Sequence, residues 1–144
     1  LNPPLAPGES VTISLGFRTK VPSRFGEPTR KGRSFVLAHW YPEVAARSPA
    51  TGWLLGGYHV FGHSPSAFAD YRVTLDVAAD LNLAATGSLS ESEVPGPEPG
   101  RRVFSIDATN VSGFAVAATP RLKGMSRSIA STNITVLTRS FANA

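Results

Sequence analysis

The stretch AFADYRVTLDVAADLNLAATGSL, residues 67–89, decides how the chain is read. From Tyr71 onward, Tyr71, Val73, Leu75 and Val77 alternate with Arg72, Thr74, Asp76 and Ala78. A period of two over eight residues is what a strand with one buried face requires. Ala79-Asp80 interrupts the run; Leu81, Leu83 and Ala85 resume it until Thr86-Gly87. Two strands with so short a break predict an antiparallel hairpin.

Working outward, Ser10 to Val21 repeats the pattern. Val11, Ile13, Leu15 and Phe17 alternate with Thr12, Ser14, Gly16 and Arg18, predicting a strand. Pro22 to Gly32 reads as a loop rich in proline, glycine and basic residues. Ser34 to Trp40 is nearly all apolar and reads as a central strand. Glu43 to Thr51 is ambiguous, with one helical turn open to EVAAR, and Gly52-Trp53 and Gly56-Gly57 bracket a short extended piece. On the other side, Ser90 to Gly100 is too polar to pack and reads as a mobile surface loop. Arg101 to Asp107 is a strand with Phe104 and Ile106 inward, Gly113 to Thr119 a small-residue strand, and Thr132 to Thr138 the last strand. Arg121 to Ser128 remains unassigned.

Thirteen glycines and twelve prolines punctuate short elements and argue against long helices. Seven or eight strands with almost no helix predict an all-β chain, an antiparallel β-sandwich or saddle-like sheet domain. A closed barrel is the alternative. At 144 residues, one domain spanning residues 1–144 has length enough for a core. The chain has no cysteine, which excludes disulfides and thiolate metal sites. No apolar run approaches the roughly 18 residues of a membrane span. A formal net charge of +4 does not by itself imply nucleic acid.

Local motifs add little chemistry. His59 and His63 are four apart, but Val60 stands where a zinc peptidase helix carries its glutamate, and Gly56, Gly57 and Gly62 oppose a helix. They read as loop histidines. Asp70 and Asp80 flank a strand, where carboxylates cap turns; Asp76 and Asp107 join no local cluster. Arg18, Lys20, Arg24, Arg30, Lys31 and Arg33 surround Phe17, Phe25 and Phe35. The core should claim Phe17 and Phe35, so the run reads as a solvated loop and no nucleic-acid partner is expected. The triplets at Asn110 and Asn133 match the glycosylation sequon, a pattern frequent by chance. No serine nucleophile elbow, phosphate-binding loop or dinucleotide motif is present.

Three passages together resemble a known family: SFVLAHWYPEVA followed by GW (residues 34–45 and 52–53), FADYRVTLDVAADLNLAATGSL (68–89) and DATNVSGFAVAATPRL (107–122). In order and spacing they are similar to the N-terminal β domain of zinc aminopeptidases of the aminopeptidase N type, the bacterial branch above all. PLAPGESVTISLGF, residues 4–17, fits the opening of that region. The resemblance implies a non-catalytic β domain, a piece of a larger metallopeptidase-like protein. It would pack on a catalytic domain of the same polypeptide and wall the cleft that takes the peptide substrate. The family's zinc would belong to that parent catalytic domain, with no cofactor in this chain. Export to the cell envelope, or secretion, is suggested by the resemblance alone. His39, in the strand leading to Trp40, becomes the candidate for the substrate rim, where the family often has glutamine. Trp40, Tyr41 and Trp53 are candidates for the domain interface, since large aromatics are enriched at interfaces, and equally for the core. A reading from another class is a stand-alone β-sandwich binding module for carbohydrate or protein.

Overall fold

The computed structural model describes residues 4–23, 28–56, 66–91 and 98–139. Among them are eleven strands and no helix: β1 (Thr29–Lys31), β2 (Ser34–Ala38), β3 (Arg47–Ser48), β4 (Gly52–Trp53), β5 (Ala69–Ala78), β6 (Asn82–Ala85), β7 (Ser88–Glu91), β8 (Arg101–Val111), β9 (Ala115–Thr119), β10 (Leu122–Ile129) and β11 (Thr132–Arg139). All pairings are antiparallel. One sheet runs β1-β2-β9-β6 and a second β5-β8-β7; β3-β4 and β10-β11 form separate two-stranded ribbons. Among the described residues no helix is long and apolar enough to cross a membrane.

The core lies between the two larger sheets. Ile106 of β8, Phe114 just before β9, and Val116 of β9 form its centre, and Ile106 has no exposed surface. Around them pack Leu37, Leu83 and Ala85 from the first sheet, Tyr71, Val73 and Leu75 from the second, and Tyr41. Each large apolar side chain fully buried here contributes about 1.5–3 kcal/mol relative to exposure. The alternation in β5 has its predicted sense: Tyr71, Val73, Leu75 and Val77 are half-buried, while Arg72, Thr74 and Asp76 face solvent. Phe104 and Ile106 point inward from β8. The arrangement is the predicted all-β, sandwich-like one.

The predicted hairpin between residues 71–78 and 81–85 is not formed. β5 pairs with β8, and β6 pairs with β9 in the other sheet. Ala79-Asp80 supplies neither of the positive φ angles that a tight two-residue hairpin uses, as neither residue lies in that region. Instead the Leu81 amide bonds the Ala78 carbonyl (3.0 Å) and Leu81 is buried. The chain thus arches from one sheet to the other, so both alternating rows meet the same core.

Ser10 to Val21, predicted as a strand, enters no ladder among the described residues. Its apolar row is 46–67 % exposed from Val11 to Phe17. Alternation records that one face wants cover; a ladder also needs backbone hydrogen bonds to a second strand, and the segment makes none among the described residues. Phe17 is therefore not the core residue expected, whereas Phe35 is half-buried.

Smaller corrections have local causes. β1 occupies part of the predicted loop 22–32, closed onto β2 through Gly32-Arg33. Gly32 has φ +57°, the positive value that the first residue of such a turn adopts. The residues EVAAR form no helical turn: Ala45 bridges Ser66, and Arg47 begins a short ribbon with Trp53. Of the unassigned Arg121 to Ser128, all but Arg121 lies in β10, whose polar pattern reflects exposure on both faces. Ser88–Glu91 is a strand at the start of the predicted loop; residues 92–97 of that loop, like His59 and His63, lie outside the described residues.

Candidate functional site

β2 stops at Ala38, two residues before its expected end, because His39 adopts φ +50°. Left-handed backbone is uncommon outside glycine, and histidine is among the residues that enter it most often. The turn folds Trp40 and Tyr41 back toward the core, and Pro42 holds Tyr41 out of the helical region. His39 Nδ1 lies 3.1 Å from both carboxylate oxygens of Glu43. With the proton on Nδ1 the imidazole donates to Glu43, which sets the ring's orientation. The ring's Cε1 lies near Gly113, where an added Cβ would sit 3.5 Å from it.

Tyr41 sits deeper. Its hydroxyl accepts the Phe114 amide at 2.9 Å, so the tyrosine anchors the residue that leads into β9. Burial, with Tyr71 and Glu43 alongside, pushes its phenol far above the ordinary range, while the Phe114 amide pulls the other way. Tyr41 is thus a neutral structural hydroxyl at physiological pH, unsuited to serve as a base.

A chain of rings runs outward from this point. Phe114 stacks on Tyr71 (centroids 5.9 Å), Tyr71 meets Tyr41 edge-on (5.7 Å), Tyr41 meets Trp40 (5.7 Å), and Trp40 meets Phe17 (6.1 Å). Pairs in such geometry contribute about 0.5–1.5 kcal/mol beyond area burial. The path links a core ring to the exposed N-terminal segment. Thr19 reinforces it, donating its hydroxyl to the Trp40 carbonyl at 2.6 Å. Trp40 Nε1 is buried and has no partner among the described residues, which costs about 1–3 kcal/mol.

The structure therefore brings His39, Trp40 and Tyr41 together at one corner of the sandwich, and adds Glu43, Tyr71 and Phe114. Trp53 stands apart on β4, 58 % exposed and outside the ring chain. Of the three aromatics singled out, Tyr41 packs on the core, Trp40 is half-buried between two rings, and Trp53 keeps a large accessible face. Sequence reading missed Glu43 because a histidine and a carboxylate four apart signal contact only on a helix; here a left-handed residue and a proline make the turn. Tyr71 and Phe114 were legible as inward residues but not as members of this corner.

The aspartates take structural roles. Asp70 accepts the Asn110 amide at 2.7 Å, where a bulge places two β8 residues against one on β5 and Asn110 has φ +54°. Asp76, Asp80 and Asp107 pair with Arg101, Arg33 and Arg72. Among the described residues no group of three or more His, Cys, Asp or Glu is placed to hold a metal ion. Comparisons with protein-family models, with curated proteins and with solved structures give no match to this chain.

Proposed function

We propose that this chain is a non-catalytic β domain of a zinc aminopeptidase-like protein, packing on a catalytic domain and walling one side of its peptide cleft. The observation that carries the reading is the corner at His39-Trp40-Tyr41. The WYP passage on which the resemblance rests folds into a turn held by the Tyr41–Phe114 hydrogen bond. It displays an imidazole oriented by Glu43. A rim contact needs such a side chain: polar, accessible and fixed in direction by a neighbour. The zinc and the groups that activate water would belong to the parent's catalytic domain.

Two measurements test it. The purified 144 residues should leave an aminoacyl arylamide uncleaved, with and without added zinc; chelator-sensitive hydrolysis refutes the non-catalytic assignment. The coding sequence downstream of residue 144 should encode His-Glu-x-x-His, and a gene without it refutes the family assignment. Trp53 favours a second reading, a binding module for carbohydrate or protein, because it presents most of an indole to solvent. A saturable change in tryptophan fluorescence on adding sugar, lost in Trp53→Ala, would favour that reading over the first.

A further inference from the structure

We infer that Ser10 to Arg18 is a latent strand that docks antiparallel on the outer edge of β5 and extends the β5-β8-β7 sheet to four strands. Three observations point there. First, the segment has the chemistry of a strand without a ladder. Val11, Ile13, Leu15 and Phe17 form an exposed apolar row, and residues 10–17 contain neither charge nor proline. Second, β5 is an edge strand of ten residues with no strand on its other side among the described residues. An open edge of that length offers a row of backbone groups for pairing. Third, the segment is already linked, through Trp40 and Tyr41, to one end of that edge. The Thr19 hydroxyl holds the Trp40 carbonyl and Phe17 packs on Trp40; Trp40 meets Tyr41, and Tyr41 meets Tyr71 near the start of β5.

That link sets the direction, and the alternation sets the parity. With Phe17 nearest Tyr71, the segment runs back along β5 in the antiparallel sense. Leu15 then falls beside Val73, Ile13 beside Leu75 and Val11 beside Val77. All four β5 residues are on the half-buried face, so the two apolar rows become one. A slip of one residue would turn the segment's apolar row to solvent, so the pattern selects this parity. On the outer face Ser14 falls beside Thr74, and Arg18 beside Asp70, a pair of opposite charge.

The absence of cysteine makes the test direct, because any disulfide is the engineered one. Ser14→Cys with Thr74→Cys places both thiols on exposed positions, where neither change disturbs the core. Under mild oxidation at low protein concentration, the bond should form within one chain. Its rate should exceed that of a Ser14→Cys/Thr135→Cys control by on the order of tenfold or more, as expected for a pre-positioned pair. Peptide mapping and non-reducing electrophoresis read both. Adding Leu15→Asp should return the rate to the control's. Equal rates in the two pairs, no bond, or a bond only between two copies would each overturn the inference. So would acceleration that survives Leu15→Asp.

Discussion

Replacing Gly87 by alanine puts a methyl group where the backbone of β8 already lies. Thr86-Gly87 carries the chain from β6 to β7, out of one sheet and into the other. The crossing is pinned: the Thr86 amide bonds the Ala115 carbonyl at 3.0 Å, and the Ala115 amide bonds Thr86 Oγ1 at 3.2 Å. A Cβ on Gly87 would stand 2.2 Å from the Asp107 carbonyl oxygen, 2.6 Å from Ala108 Cβ and 2.9 Å from Ala108 Cα. Those atoms belong to the middle strand of a sheet, and Ala108 is buried, so they have little room to retreat. Gly87 also has φ +92°. A side chain at positive φ costs about 1–2 kcal/mol, and forcing a methyl into a packed site costs about 1–3 kcal/mol more. Gly87→Ala should therefore lose roughly 2–5 kcal/mol, a large part of the usual 5–15 kcal/mol. Gly100→Ala separates the two contributions, since Gly100 has φ +79° with nothing within 4 Å of an added Cβ. It should lose only about 1–2 kcal/mol. Urea unfolding followed by tryptophan fluorescence and far-ultraviolet circular dichroism measures both. Equal losses in the two variants would refute the steric argument and show that Gly87 is held by its φ alone.

Other perturbations reach the remaining joints of the fold. Tyr41→Phe leaves the buried Phe114 amide without its acceptor and should cost about 1–3 kcal/mol in the same assay. It should also change the alkaline limb of stability. Burial raises the folded-state pKa of Tyr41 above its ordinary 10.0, so its contribution is complete below that pH and declines as pH climbs past it. The variant should show a shallower fall above about pH 10. Ala130→Gly should stabilise the β10-β11 turn by up to about 1 kcal/mol, because Ala130 sits at φ +52°; a thermal midpoint no higher than wild type would count against strain there. Asp70→Ala removes the carboxylate that accepts the Asn110 amide at the bulge. It should cost about 0.5–2 kcal/mol, by analogy with a lost helix cap, with faster hydrogen exchange at Asn110.

The candidate site was half legible. The WYP passage drew attention to His39, Trp40 and Tyr41, and the structure gathers all three at one corner. The grip that orients His39 depends on a left-handed turn bringing Glu43 back, and no linear spacing announces such a turn. The same divide separates Trp53 from the other aromatics: its composition matches theirs, yet it sits on a two-residue strand of a separate ribbon.

What the amino-acid order alone determined is which side of each extended run faces inward. Tyr71, Val73, Leu75 and Val77 in β5, and Phe104 and Ile106 in β8, follow from the two-residue period of an extended backbone, a property each segment carries by itself. Only the tertiary structure decided which strand lies beside which. β5 passes over its neighbour in sequence to reach β8, β6 crosses to β9, and Ser10 to Val21 has the pattern of a strand but no ladder among the described residues. The physical reason is that side-chain alternation belongs to one segment, whereas backbone hydrogen bonds join two. The choice of partner is made by the shared core, through contacts between residues far apart in the chain.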